Sequence, residues 1–186
     1  MSVKQFECIT SSDPHSAFFV LHLNRQSAEA RQENDVELFH TSPEKIEAIN
    51  NNGRFGAFLF FSSKVYVMTA GKFVTYSIEI DDEQIIDDGR LFFHEDAAKL
   101  EPLVAELATL LDVSEDDAEA LIEGSKSVYD IGSIEADDAA DASWDVQHFT
   151  ARAAKLLGYR GVQVTDEQGA TYMIDMLGYE HELTKA

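Results

Sequence analysis

The chain is poor in cysteine and in basic residues, and these shortages narrow the classes of protein to which it can belong. Its single cysteine, Cys8, excludes an internal disulfide framework and supplies too few thiols for a structural zinc site. Six histidines are present, but no two of them have the His-x-x-x-His spacing, and a single cysteine cannot form a Cys-x-x-Cys pair. We therefore expect no metal site.

Long apolar runs are missing as well. No stretch approaches the ~20 apolar residues that a membrane-spanning helix needs, and residues 1–7 lack the apolar segment of a signal peptide. We expect a soluble protein of the cytoplasm, which would be the host cytoplasm if a phage encodes it. The glycine patterns of P-loops and Rossmann turns and the Gly-x-Ser-x-Gly elbow are also absent, so those chemistries have no support.

The charge balance is strongly acidic. The chain has 35 acidic and 14 basic residues, which gives a formal net charge of −21. Such a surface repels nucleic acids and acidic membranes and attracts a basic protein partner. Twelve of the acids lie within residues 112–145, where Lys126 is the only basic residue. This segment is typical of a solvated excursion that promotes solubility, and a docking surface is the alternative.

Length and apolar content predict one α+β domain. We expect residues 1–35 to be an N-terminal extension packed on the domain, and residues 36–186 to be the domain itself, with a helical acidic insertion at about 95–142. Runs of β-favouring or alternating residues predict strands at 17–23, 36–40, 58–68, 73–80, 162–164 and 172–174. Apolar stripes predict three helices that begin near Glu101, Ser114 and Ser143, and the two serines are expected to cap the second and third. The stripe of the first helix comprises Leu103, Val104, Leu107, Leu110 and Leu111.

A further helix is predicted directly after the second of these strands. The Ser42 hydroxyl can accept a hydrogen bond from a free backbone N–H, and Pro43 suits the first helical position. The Asn-Asn-Asn-Gly run at 50–53 suits the end of a helix. Ile46 and Ile49 would share one face. The expected length is about three turns.

Two sequence blocks carry the candidate chemistry. The first runs Leu-Phe-His-Thr-Ser at 38–42, Gly-Arg-Phe-Gly at 53–56 and a Phe-rich strand to Ser62; the second runs from Leu157 through Asp166 and Glu167 to Tyr172. Taken singly, each has an ordinary structural explanation: a histidine at a strand end, phenylalanines in a core, and acids in a hairpin connection.

Their order and separation resemble the ADP-ribosyltransferases of phages and bacteria, nearest to the phage anti-CRISPR ADP-ribosyltransferases that inhibit type I-F surveillance complexes. The resemblance covers residues 36 to about 62 and 144–176. It implies a split β-sandwich, peripheral helices and NAD⁺ bound between two small sheets.

The resemblance also implies roles for individual residues. His40 would hold the adenosine ribose, Phe55 and Phe58 beside Gly56 would line the nicotinamide pocket, and Thr41 stands where the related motif has glycine. Tyr66 and Tyr76 resemble a tyrosine pair of the diphtheria-toxin-like branch. The implied cofactor-binding residues are His40, Thr41, Ser42, Phe55, Gly56, Phe58, Ser62 and Tyr66, and the implied catalytic residues are Asp166 and, as its neighbour, Glu167.

The leading hypothesis is an NAD-dependent mono-ADP-ribosyltransferase that modifies a protein side chain, with a nucleic-acid-binding subunit of a CRISPR complex as its candidate target. Such an enzyme would bind neither nucleic acid nor membrane directly. The alternative is a non-enzymatic acidic mimic of nucleic acid that blocks a basic groove of a partner. A third hypothesis, a toxin-like enzyme acting on DNA or RNA, meets charge repulsion.

Overall fold

The computed structural model describes residues 34–65, 72–166 and 169–186, without the side chain of Asp166. The predicted N-terminal extension and the predicted strand at 17–23 lie outside the described residues, as do Tyr66 and Glu167. The segment Val36–Ala186 forms one compact unit. No helix in the described ranges is both long and apolar enough to cross a membrane.

Seven strands in the described residues form one hydrogen-bonded sheet in the order β4-β5-β6-β2-β1-β3-β7. Their bounds are β1 Asp35–Ser42, β2 Phe58–Ser62, β3 Val74–Asp81, β4 Ile85–Asp87, β5 Gly161–Asp166, β6 Gly169–Asp175 and β7 Thr184–Lys185. Strands β4 and β5 are parallel, whereas β5–β6, β6–β2, β2–β1 and β3–β7 are antiparallel.

Within residues 34–65, 72–166 and 169–186, three α-helices flank the sheet: α1 Glu101–Leu111, α2 Glu115–Ile122 and α3 Ala139–Leu156. Short 3₁₀ turns occupy Asp82–Gln84, Asp88–Phe93, Ala97–Leu100, Val128–Asp130 and Glu180–Glu182. The Ser114 hydroxyl caps α2 by accepting the N–H of Asp117 at 3.1 Å. The α+β prediction with peripheral helices is confirmed.

The sheet is split between β2 and β1. Five residue pairs join β2 to β6, but β2 and β1 share only the pair Phe39 and Ser62. Along β2 the side chains alternate between two cores, because neighbouring strand residues point to opposite faces. Phe58 packs in the first core with the helices, while Phe61 packs in the second core with Leu38, Ile78 and Ile174.

The second core therefore joins β1 and β3 to β2 and β6, and the first core joins the sheet to its helices. One seven-stranded sheet with a core on each face and a weak junction between β2 and β1 is consistent with the fold that the resemblance implies. The acidic segment contributes to the first core through Ala118, Leu121, Ile122, Val128 and Ile131, all of which are buried. These apolar residues therefore anchor the segment in the first core, while its status as a solvated insertion stays a prediction.

The prediction of a helix after β1 is wrong. Ser42 is the last residue of β1, and residues 43–57, which we call the β1–β2 connection, contain no helix. The N–H of Ile46 is instead donated to the hydroxyl of Tyr76 at 3.0 Å. With only two large apolar residues to bury, Ile46 and Ile49, a short helix gains little from packing, so this tertiary bond and the asparagine turns prevail.

Helix α3 begins four residues before the predicted Ser143 cap. Ala139 and Ala142 are buried in the first core, so the helix extends toward its N-terminus to place both against the neighbouring elements. Strand β2 is likewise shorter than predicted, because it ends at Ser62. The rest of the predicted 58–68 strand falls partly outside the described residues.

Candidate functional site

Strands β1 and β2 part beyond their single residue pair, and His40 lies at this point. Because β2 has lost its neighbour there, its edge carbonyl groups need another donor. The Nδ1 atom of His40 donates to the carbonyl oxygen of Phe60 at 2.7 Å. The imidazole also packs on the ring of Phe61, with 5.5 Å between the ring centroids. His40 thus closes the edge of β2 with its side chain.

The surroundings of His40 determine its protonation. Burial lowers the pKa of this histidine, and the bond to the Phe60 carbonyl offsets that effect only in part. Its imidazole is therefore neutral near pH 7. Since a carbonyl can only accept, the proton is on Nδ1, and Nε2 carries a lone pair. That lone pair can accept a hydrogen bond from a ligand hydroxyl.

The cleft beside β2 has a volume of about 620 Å³. Residues 44–50 form most of its wall, together with Gly53, Gly56 and Leu59. This volume lies within the usual range for small-molecule sites. A second hollow of about 390 Å³ lies across residues 45–47 and includes Tyr76 and Lys185 in its wall.

Gly56 is the predicted cofactor-binding residue that lines the larger cleft. Its φ of 57° lies in the left-handed region, where a side chain would be strained. A Cβ at this position would be 3.7 Å from Nε2 of His148 and 3.8 Å from Oδ1 of Asn51. Both distances are ordinary contacts, so the left-handed backbone conformation, and not a lack of space beside α3, favours glycine at this position.

The two predicted aromatic residues differ in exposure. Phe55 is half-buried and meets Phe60 edge to face, with 4.7 Å between ring centroids. Phe58 is only 7% exposed, and its ring lies near His148 and under the ammonium group of Lys155. Phe58 is thus enclosed by protein side chains, whereas Phe55 retains an accessible surface.

Thr41, Ser42 and Ser62 are all half-buried and lie on the strands that part. Thr41 and Ser42 are the last two residues of β1, directly after His40. Ser62 pairs with Phe39 on one side and with Thr171 on the other, and its hydroxyl donates to the carbonyl of Lys64 at 2.5 Å. These residues mark the point at which the two half-sheets separate.

Asp166 is the last residue of β5 and pairs with Gly169 across the β5–β6 hairpin. Two strands, β6 and β2, lie between β5 and β1, so the backbones of Asp166 and His40 are about 14 Å apart across the sheet, at ~4.8 Å per strand. They are further offset along the strands by about three residues, or roughly 10 Å. A ligand touching both would be extended.

Sequence reasoning missed His148 and Arg54. His148 lies on α3 beside Gly56, and burial, more than the nearby Arg152, lowers the pKa of its imidazole. Arg54 bonds to α3 across 87 residues of sequence. No local pattern links either residue to its partner. Only the Gly-Arg-Phe-Gly run, which contains Arg54, offered a signal.

Within the part of the chain that the structure describes, no group of three or more His, Cys, Asp or Glu side chains could hold a metal ion. The polar groups around the cleft are instead suited to hydroxyls and amides. The wall contains the side chain of Asn50 and the backbone of the left-handed Gly56. The neutral imidazole of His40 lies on β1, which precedes the wall segment 44–50 in the chain.

Comparison with known proteins assigns the family. No curated protein matches the chain. A crystal structure of an anti-CRISPR protein shares the fold, with 24% sequence identity, a TM-score of 0.50, and coverage of 75% of this chain and 89% of that chain. A family model described as Anti-CRISPR Type I-F ADP-ribosyltransferase AcrIF11 matches residues 36–178. The chain therefore belongs to this family of anti-CRISPR ADP-ribosyltransferases.

Proposed function

We propose that the protein transfers a single ADP-ribose group from NAD⁺ to a side chain of a basic protein, a nucleic-acid-binding subunit of a type I-F CRISPR complex. The family supplies the class of reaction and the class of biological target. The use of NAD⁺, the residues below and the identity of the acceptor are parts of the proposal.

The observation that carries the proposal is the state of His40 at the parting of β1 and β2. Its Nδ1 is bound to the Phe60 carbonyl, and its pKa is lowered by burial, so Nε2 is an acceptor. A ribose offers hydroxyl donors, and a neutral imidazole can bind them without adding charge. This arrangement fits the role that the resemblance gives to His40.

The backbone separation of His40 and Asp166 fits a dinucleotide with two distant riboses. His40 would hold the adenosine ribose, while Asp166, at the end of β5, would serve the nicotinamide ribose. Among the other implied residues, Phe55 has accessible ring surface for the nicotinamide, and Gly56 brings backbone to the wall of the cleft. Phe58 would support this wall from the core.

The transfer breaks the bond between C1′ of the ribose and the nicotinamide nitrogen, and nicotinamide leaves as a neutral molecule. Positive charge then develops at C1′, and the carboxylate of Asp166 would stabilise it more in the transition state than in the ground state. A nitrogen or oxygen of the target side chain bonds to C1′ and loses its proton to solvent. The target must therefore dock close to the cleft.

The net charge of −21 supports a basic protein as the target. Complementary charge accelerates association and helps to choose the partner. A protein that binds nucleic acid presents such a basic surface, whereas the nucleic acid itself would be repelled. This argument favours a protein acceptor over DNA or RNA.

Incubation of the purified protein with labelled NAD⁺ and a purified type I-F surveillance complex tests the proposal. We expect label on a protein subunit and release of nicotinamide. Asp166→Asn should abolish both, while the exposed-acid control Asp82→Asn should not. His40→Asn retains a donor for the Phe60 carbonyl but lacks Nε2. It should therefore raise the KM for NAD⁺ while changing the free energy of unfolding little.

The same experiment separates the alternatives. Inhibition of the complex without NAD⁺, without label, and with a steep loss in salt would show an acidic mimic instead of an enzyme. Label on nucleic acid would contradict the protein acceptor. Undiminished transfer by Asp166→Asn would contradict the role of that carboxylate.

A further inference from the structure

Arg54 connects the β1–β2 connection to the beginning of α3. Its Nη2 donates to the backbone carbonyl of Asp141 at 2.8 Å, and its Nη1 is 3.2 Å from the carboxylate of the same residue. Nη2 also donates to Oδ1 of Asp145 at 3.2 Å. The guanidinium lies 5.0 Å from the ring centroid of Trp144. One side chain therefore contacts three residues in the first two turns of the helix.

These contacts determine where the turn at residues 53–56 lies. The turn is closed by a bond from the N–H of Gly56 to the carbonyl of Gly53 at 2.9 Å. At one end Arg54 joins it to α3, and at the other end Gly56 packs beside His148 on the same helix. The turn is thus aligned along α3, and it carries both Phe55 and Gly56.

We propose that Arg54 is a positioning residue that holds the turn at 53–56 against α3 in the shape that receives the nicotinamide end of NAD⁺. The inference rests on the proposed function, because it assigns Phe55 and Gly56 to the cofactor pocket. Arg54 itself does not act on the reacting atoms. It acts through the turn, by fixing the backbone of Gly56 and the exposed face of Phe55.

The rival explanation is that Arg54 forms an ordinary surface ion pair. Its side chain is 39% exposed, and exposed pairs contribute little to stability. Arg152, which lies on α3, provides a matched control. Its guanidinium donates to both carboxylate oxygens of Glu106, at 2.9 and 2.7 Å, and lies 4.6 Å from the ring centroid of Phe149. Arg152 joins α3 to α1, whereas Arg54 joins α3 to the turn at 53–56.

The kinetic test compares Arg54→Gln, Arg54→Lys and Arg152→Gln in the full chain. We expect Arg54→Gln to raise the KM for NAD⁺ about tenfold, since a small displacement of a positioning element has effects of this order or larger. Lysine retains one charge but cannot form the fork, so Arg54→Lys should fall between wild type and Arg54→Gln. Arg152→Gln should leave the KM unchanged, although both glutamine variants lose a similar amount of stability.

A second readout does not depend on turnover. Trp144 is the only tryptophan in the chain and lies against Arg54, so its fluorescence reports on this contact directly. Titration with NAD⁺ should change the emission of the wild type and of Arg152→Gln. Arg54→Gln should require about tenfold more NAD⁺ for the same change. Asp145→Asn, which weakens the contact from the helix side, should shift the titration in the same direction.

The outcomes separate the two proposals. Equal KM values or equal titrations for Arg54→Gln and Arg152→Gln would overturn the positioning role while leaving the transferase intact. A titration that shifts as expected would support the role of Arg54 even if no target became labelled. A wild-type titration with no response to NAD⁺, together with unaltered kinetics in Arg54→Gln, would also overturn it.

Discussion

Replacement of Asp88 by asparagine should stabilise the protein at neutral pH. Asp88 begins the 3₁₀ turn after β4, and its Oδ1 accepts the N–H of Gly89 at 2.8 Å. Its Oδ2 lies so close to Gly124, just after α2, that a Cβ there would be 2.8 Å away. Burial, followed by the charges of Asp87 and Glu123, raises the pKa of Asp88 to about 6. The folded structure therefore destabilises the ionised form of this carboxyl group.

The size and sign of the effect follow from linkage. The pKa of Asp88 rises from 3.8 to about 6, which corresponds to about 3 kcal/mol at most, at about 1.4 kcal/mol per pKa unit. Because the residue is only partly buried, solvent screening reduces this to roughly 1–2 kcal/mol. A raised carboxyl pKa means that the folded state binds more protons, so the contribution of Asp88 to stability is highest below pH 4 and falls as pH rises through 6.

Urea unfolding at pH 8 and pH 5 measures this difference. Asp88→Asn should gain roughly 1–2 kcal/mol at pH 8 and about half of that at pH 5, because protonation already relieves the folded wild type there. Asparagine retains an acceptor for Gly89. Glu135→Gln, which removes one exposed charge from the acidic segment at 112–145, controls for the net charge. Equal gains in both variants, or a gain independent of pH, would refute the reasoning.

Two further predictions concern the backbone. Tyr76→Phe should speed amide hydrogen exchange at Ile46, because it removes the hydroxyl acceptor 3.0 Å away, whereas Tyr172→Phe should not; unchanged exchange would show that this bond does not hold the connection in place. Gly161→Ala should lower the free energy of unfolding by about 2 kcal/mol, because its Cβ would overlap a buried side chain of β6. Gly132→Ala, with nothing within 4 Å, is the control, and equal urea midpoints would contradict the steric argument.

Elements with a strong local signal could be predicted from the sequence. The apolar stripe of α1 places Leu103, Val104 and Leu107 in the first core as expected. Leu110, predicted to join that stripe, is 55% exposed because the helix turns that side to solvent. Ser114 caps α2 as predicted. In these cases the periodicity and the cap depend only on residues that are close in sequence, so the element can be predicted without knowledge of the fold.

The β1–β2 connection could not be predicted because its structure depends on distant residues. Ile46 is bonded to Tyr76, which is 30 residues away, and Arg54 is bonded to Asp145, which is 91 residues away. Locally, Ser42 and Pro43 suit a helix start. The partners that override this local preference come from β3 and α3, and no sequence pattern links them to the connection.

The candidate site shows the same division. The order of motifs identified His40, but its partner is the backbone carbonyl of Phe60, which any residue at that position would supply. Gly56 was identified as part of a motif, whereas its neighbour His148 was not. Side-chain motifs are visible in a sequence, while contacts with backbone and with the flanks of helices emerge only when the chain folds.

The wall of the cleft and the implied reacting groups come from different segments of the chain. Most of the wall comes from residues 44–50, which adopt no helix and carry none of the implied catalytic residues. Reaction chemistry and cleft shape thus depend on different segments: the strand ends supply the implied reacting groups, and the connection supplies the wall. Under the proposed function, substitutions in the connection that preserve the bond between Ile46 and Tyr76 should alter the KM for NAD⁺ without altering kcat, because they change contacts made equally in ground and transition states.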